Sequence, residues 1–257
     1  MRLFKPIPIL LLLATISSLM SGCVLMSDSD KESMTNQEKA TLNLQMGARY
    51  MDMGMLDVAK EKLEAAVDLD SSNPETHDAL AVFYERIRDY DRAQRSYEAA
   101  LSRDKDNFSI KNNLGRFLCE KGEFDKGMNL LQESLDNPMN NRQWYALANI
   151  GLCHARQNNL QRAEDFFRQS LQLQPDYSPA LQEMLKISYN NSQYMSARAF
   201  LERYKSTAKL TAETLWFGFQ TERALGNGDA ADEYKAQLLN AFPASKEALQ
   251  VKTAINK

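Results

Sequence analysis

The chain has 257 residues, with 31 Lys and Arg against 34 Asp and Glu for a formal charge of −3, so no basic footprint for nucleic acid is present. Ten glycines and seven prolines are about half the usual share, too few turn formers for an all-β sandwich or barrel. Two histidines and three cysteines leave little from which to build a His- or Cys-rich metal site. The expectation is an all-α, non-catalytic protein. The first element in chain order is an N-terminal leader over residues 1–22, MRLFKPIPILLLLATISSLMSG. Arg2 and Lys5 precede an apolar run from Ile7 to Leu19, which is shorter than the roughly 20 residues of a membrane span and fits a secretory h-region.

Ser21-Gly22-Cys23 closes that leader. Small residues directly before a cysteine resemble the bacterial lipobox, with Met20 where Leu is usual. The resemblance implies cleavage before Cys23 and its modification with diacylglycerol and a fatty acyl group such as palmitate. Val24 stands where an Asp would retain an enterobacterial-type lipoprotein in the inner membrane, which implies an outer-membrane anchor facing the periplasm. Loss of Arg2 and Lys5 would take the charge from −3 to −5. Residues 23–39 are polar and read as a lipidated, flexible tether.

From residue 40 a period of 34 takes over. Small residues recur at Ala59, Ala93, Gly127, Ala163, Ala197 and Ala231, spaced by 34 except for one step of 36. Large apolar residues stand three positions before the first five (Leu56, Tyr90, Phe124, Leu160, Tyr194) and four positions after them (Leu63, Tyr97, Leu131, Phe167, Leu201). Gly47, Ala81, Gly115 and Gly151 lie twelve before the first four. This resembles the tetratricopeptide repeat (TPR), two antiparallel helices per 34 residues, and words such as NLGRFLCEKGEFDKG and NIGLCHARQNNLQRAEDFF carry the likeness. The implied architecture is all-α: a right-handed superhelical solenoid of about six helix-turn-helix repeats at 40–73, 74–107, 108–143, 144–177, 178–211 and 212–245. Neither helix of a unit can bury its apolar stripe alone. Pro74, Pro175 and Pro243 punctuate repeat junctions. Asp57, Asp91 and Asp125 open the second helices, where the helix dipole favours acid. Asn137 to Asn141 forms a longer loop in the third repeat, and residues 246–257 are a capping tail expected to finish as a short polar helix.

His77 and His154 lie in different repeats without a metal-ligand pattern, and no Walker A loop, GxSxG elbow or HExxH helix occurs, so no catalytic and no metal residues are assigned. Cys119 and Cys153 fall at the twelfth and tenth positions of neighbouring repeats. An oxidising compartment would permit a disulfide, but the unequal positions favour two buried or half-buried thiols. Arrays of this kind present a concave surface formed by their first helices. Register places Leu44, Gln45, Ala48 and Met51 there, then Asp78, Ala79, Val82 and Arg86, then Asn112, Asn113, Arg116 and Glu120, then Ala148, Asn149, Leu152 and Arg156. The partner-binding groove is drawn on Leu44, Ala48, Met51, Val82, Arg86, Asn113, Arg116, Asn149, Leu152 and Arg156. Met46, Met51, Met53 and Met55 crowd the first repeat; they either fill its helix pair and cover the end of the solenoid, or, as adaptable methionine, make a hydrophobic groove over repeats one and two.

Leader, tether and six repeats together resemble the type IV pilus biogenesis and stability lipoproteins, the PilF/PilW type of pilotin. The most particular stretches are LNLQMGARYMDMGMLDVAKEKLEAAVDLD, NNLGRFLCEKGEFDKGMNLLQESL and PALQEMLKISYNNSQYMSARAFLERY. The family implies a non-enzymatic factor that binds the pilus secretin through its groove and promotes its localisation and multimerisation in the outer membrane. No cofactor, nucleic acid or small-molecule substrate is expected. Other readings are a different periplasmic TPR lipoprotein, serving β-barrel assembly or cell-wall hydrolases, and, more remotely, the regulatory subunit of an enzyme.

Overall fold

A computed structural model describes residues 34–255. The expected leader, the acylated Cys23 and the start of the tether lie outside the described residues. Six antiparallel helix pairs follow one another: α1 (Asn36–Asp52) with α2 (Leu56–Leu69), α3 (Pro74–Arg86) with α4 (Tyr90–Arg103), α5 (Phe108–Glu120) with α6 (Phe124–Asp136), α7 (Gln143–Arg156) with α8 (Leu160–Leu173), α9 (Ser178–Asn190) with α10 (Tyr194–Thr207), and α11 (Ala212–Ala224) with α12 (Gly228–Ala241). A last helix, α13 (Lys246–Ile255), closes the array. Each pair packs on the next, and successive first helices stack side by side, as α1 on α3 and α5 on α7. The protein is an all-α TPR superhelix.

Local chemistry fixes the ends of the helices. Thr35 caps α1, its hydroxyl accepting from the Glu38 N–H while the Glu38 carboxylate accepts from the Thr35 N–H. This capping box starts the first helix at Asn36, so the last four residues assigned to the tether belong to the solenoid. Asn73 and Asn107 cap α3 and α5 without the reciprocal bond, their side-chain oxygens accepting from the Glu75 N–H and from the Ser109 and Ile110 N–H groups. All six turns inside the repeats share one device. Gly54, Arg88, Gly122, Asn158, Ser192 and Gly226 take positive φ between 58° and 85°. The next N–H reaches back five residues, as from Asp89 to the Tyr84 carbonyl and from Glu123 to that of Leu118, which is the Schellman closure.

The recurring small residues are the points of closest approach. Ala59, Ala93, Ala163 and Ala197 are fully buried, and so are Leu63, Tyr97, Leu131, Phe167 and Leu201 four residues on. Tightest is the third repeat, where a Cβ on Gly127 would stand 2.6 Å from the Gly115 carbonyl oxygen and 2.9 Å from the Cys119 nitrogen. The residues three before the alanines behave differently. Leu56, Tyr90 and Leu160 each remain more than a third exposed, because the first residue of a second helix sits on the turn edge instead of between helix pairs. The sixth repeat fills its core with aromatics, Tyr189 on α9 meeting Phe217 at 5.3 Å and Trp216 meeting Phe217 at 4.9 Å. α13 is less polar than its sequence implies, since Ala248 and Val251 are buried against this cluster.

Candidate functional site: the face of the first helices

The stacked first helices carry a ladder of polar contacts between neighbouring repeats. Asn113 on α5 donates its amide to Asp78 Oδ2 on α3 at 2.9 Å. Arg116 grips Glu85 with both terminal nitrogens, at 2.6 and 2.7 Å, and reaches Glu120 at 3.3 Å. Arg156 on α7 takes the other oxygen of Glu120 at 2.6 Å. Tyr97, from the core, donates its hydroxyl to Glu85 at 2.8 Å. Further along, Gln182 and Lys186 on α9 both reach Glu213 on α11. The ladder is continuous from α3 through α7, and a bidentate, half-desolvated guanidinium–carboxylate pair lies at its centre.

Burial and charge set the titration of these groups. Burial works against the Glu85 charge, but the Arg116 bonds and the Tyr97 hydroxyl outweigh it and hold Glu85 below the usual carboxylate range. Glu120 is raised, first by burial and then by the nearby Glu85, against the pull of Arg116 and Arg156. Burial also opposes the Arg116 charge, yet Glu85 keeps that guanidinium firmly protonated. Among the described residues the Asn113 amide is the one hydrogen-bond partner of the Asp78 side chain. Burial pushes its carboxyl up to about 6, opposed by the Asn113 hydrogen bond, and its Oδ1 has no hydrogen-bond partner.

The residues expected in the groove divide into three groups. Asn113, Arg116 and Arg156 stand in the ladder, and Arg86 reaches Asp52 at 3.9 Å from an exposed position. Leu44, Ala48, Val82 and Leu152 are half-buried, with Leu44 and Val82 packed on the first core cluster and Leu152 on a later one. Met51 and Asn149 are corrections. Met51 is 8 % exposed and belongs to the core with Leu63, Leu80 and Tyr84. It lies one helical turn beyond Gly47, on the stripe that faces α2. Asn149 is 2 % exposed and donates to Asn112 Oδ1 at 3.1 Å, inside the α5–α7 seam. With Met51 inside and Met53 and Met55 out on the turn, Met51 fills the first helix pair and these methionines do not line a groove.

The cysteines are a second correction. Cys119 and Cys153 form a disulfide between α5 and α7, with Cα atoms 5.4 Å apart. Their unequal repeat positions are the reason they meet: on stacked helices a forward-facing residue of one must oppose a backward-facing residue of the next. The histidines are packing groups. His77 Nε2 sits 3.0 Å from the Ser71 carbonyl, and His154 stacks on Phe166; burial lowers both. Among the described residues no group of three or more His, Cys, Asp or Glu side chains is placed to hold a metal ion.

Sequence reasoning missed a cavity of about 460 Å³ beside the ladder. The N-terminal half of α5, the loop before α7, and Trp144, Tyr145 and Tyr177 enclose it. The two extra residues of the third repeat were its signal. In that loop Asn140 donates to the Ser134 carbonyl and accepts from the Arg142 N–H, a local brace that holds the cavity open on one side.

Models of the tetratricopeptide repeat match residues 88–150 and 144–177. The type IV pilus assembly protein PilF of Pseudomonas aeruginosa is 26 % identical over 230 residues, covering 89 % of this chain and 91 % of that protein. The solved structure of Pseudomonas aeruginosa PilF aligns with a TM-score of 0.70 at 25 % identity, over 85 % of this chain and 99 % of that one. The crystal structure of PilW, described as a widely conserved type IV pilus biogenesis factor, aligns with a TM-score of 0.70 at 31 % identity, over 82 % of this chain and 97 % of that one. The chain belongs to the PilF/PilW-type TPR family. It is a pilus-related repeat protein of a family built for protein–protein interaction.

Proposed function

We propose that the protein is an outer-membrane pilotin: a lipoprotein that binds the secretin of the type IV pilus through its stacked first helices and promotes the secretin's localisation and multimerisation. The observation that carries this reading is the likeness to PilF and PilW, which runs over at least four-fifths of this chain and nearly all of theirs. Three features support it. The disulfide suits an oxidising compartment outside the cytosol. The leader ends on Cys23 with Val24 behind it, and a diacylglycerol plus a fatty acyl chain anchors stably where one chain would bind only marginally. The chain from Cys23 to the start of α1 at Asn36 spans at most about 47 Å when extended, so the ladder is held close to the membrane and its effective concentration there is high. No step of this function requires chemistry; the protein acts by tethering and recognition, without cofactor or small-molecule substrate.

The experiment is deletion of the gene, with secretin multimers scored by heat-resistant gel mobility and surface pili counted. Complementation with the wild type and with Cys23→Ala completes it. The expected outcome is loss of multimers and pili, restored by the wild type, with Cys23→Ala leaving the protein soluble in the periplasm and the multimers displaced from the outer membrane. Normal multimers and normal pili in the deletion strain would overturn the reading.

A further inference from the structure

The cavity between the third and fourth repeats is built like a receptor for one residue and its backbone. At its side, Asn112 is 2 % exposed, and its oxygen is occupied by the Asn149 amide. The Asn112 Nδ2 is buried without any partner. That nitrogen is closed off from the cavity itself, so recognition falls to the rings and the rim. Trp144, Tyr145 and Tyr177 make the walls, the two tyrosines meeting edge to face at 6.2 Å. A third ring at that pair gains the same edge-to-face attraction. At about 460 Å³ the space admits a large side chain with its backbone but is too narrow for a helix about 10 Å across.

Charge selects the neighbouring residue. Arg142 is the single charged side chain among those lining the cavity, is exposed, and forms no ion pair among the described residues. The cations of the adjoining ladder, Arg116 and Arg156, are already spent on Glu85 and Glu120. The rim therefore offers one free cation to an acid.

We propose that this cavity is a subsite for an extended segment of the protein partner, which inserts one aromatic side chain between Tyr145, Tyr177 and Trp144 and presents an Asp or Glu to Arg142. This inference deepens the pilotin reading, since it takes the stacked first helices as the recognition face and names the chemistry of what they hold. It is independent of which protein supplies the segment.

The probe is a phage-displayed library of random twelve-residue peptides, panned on the full mature protein and in parallel on Arg142→Glu. Selected clones should share an aromatic residue within a few positions of an Asp or Glu on the wild type, and an aromatic residue near a Lys or Arg on Arg142→Glu. A synthetic peptide of the wild-type consensus, followed by fluorescence anisotropy, should bind about tenfold more weakly to Trp144→Ala and to Arg142→Glu. Melting curves confirm the fold of each variant, and Arg142→Glu, whose side chain makes no ion pair among the described residues, keeps the test intact should Trp144→Ala fold poorly. A consensus without an aromatic residue, a consensus that does not change sign on Arg142→Glu, or an unchanged affinity would overturn the subsite. Binding of the secretin's periplasmic region is measured alongside. If no peptide behaves as expected while the secretin binds and Arg142→Glu leaves that binding intact, the subsite is refuted while the pilotin reading stands. If the consensus peptide behaves as expected and the secretin does not bind, the subsite stands and the pilotin reading falls.

Discussion

Removing the disulfide between α5 and α7 loosens the array at its centre. Cys119 and Cys153 are 34 residues apart in sequence and almost fully buried. Closing a loop of that length removes about 3.7 kcal/mol of chain entropy from the unfolded state at 25 °C. In a chain of this size one kcal/mol moves Tm by about 2–4 °C. The variant Cys119→Ala/Cys153→Ala, which introduces no polar group into the buried seam, should therefore melt about 7–15 °C below the wild type by far-ultraviolet circular dichroism. Because each repeat contacts only its neighbours, the loss of amide-exchange protection should concentrate in α5 to α8 and leave α1, α2 and α12 little changed. Alkylation of the unreduced wild type followed by intact mass should find no free thiol at these positions. Two alkylated thiols, or a double variant melting within 2 °C of the wild type, would refute the cross-link and the argument built on it.

Gly127→Ala places a Cβ against backbone of α5, which cannot turn aside. It should lower stability by about 1–3 kcal/mol despite its gain in helix propensity, whereas Gly228→Ala, at the start of α12, meets nothing within 4 Å and should leave stability unchanged or raise it by up to about 1 kcal/mol; urea midpoints distinguish the two. Arg88→Gly relieves the positive φ of 63° at the turn of the second repeat and should raise stability by about 0.5–1 kcal/mol in the same assay. Asp78 binds its proton more tightly folded, at about 6, than at its ordinary 3.8, so its contribution to stability is greatest below pH 4, declines as pH rises to 6, and is unfavourable above. Asp78→Asn keeps the Asn113 hydrogen bond and removes that decline. It should stabilise the protein at pH 7 by up to about 3 kcal/mol with little effect at pH 3.5; a variant less stable than the wild type at pH 7 would contradict the assignment.

The architecture was legible in the chain because the forces that build it are local and periodic. Ala59, Ala93, Ala163 and Ala197 recur at the spacing that brings two helices into contact, and they are fully buried. The Thr35-Asn36-Gln37-Glu38 capping box was equally readable, and it would have ended the tether at its true place. What escaped was everything decided between repeats. Register gives the direction a side chain faces on its own helix, but contacts across stacked helices join unlike positions, as in the disulfide, in Arg116 with Glu85 and in Asn149 with Asn112. Met51 shows the same limit, since a shift of one position around a helix separates groove from core. The cavity beside Asn112 depends on how the longer loop folds back through Asn140, which no period records.

The central claim is that the stacked first helices, and not the outer second helices, are the recognition face. The direct measurement is photo-crosslinking in living cells, with a photoreactive amino acid placed at Arg86 or Gln157 beside the ladder, or at Gln132 or Gln169 on exposed faces of α6 and α8. The account predicts an adduct of one molecule of this protein with the pilus secretin from Arg86 and Gln157, and none from Gln132 or Gln169. Adducts with the secretin from the second-helix positions alone would contradict it.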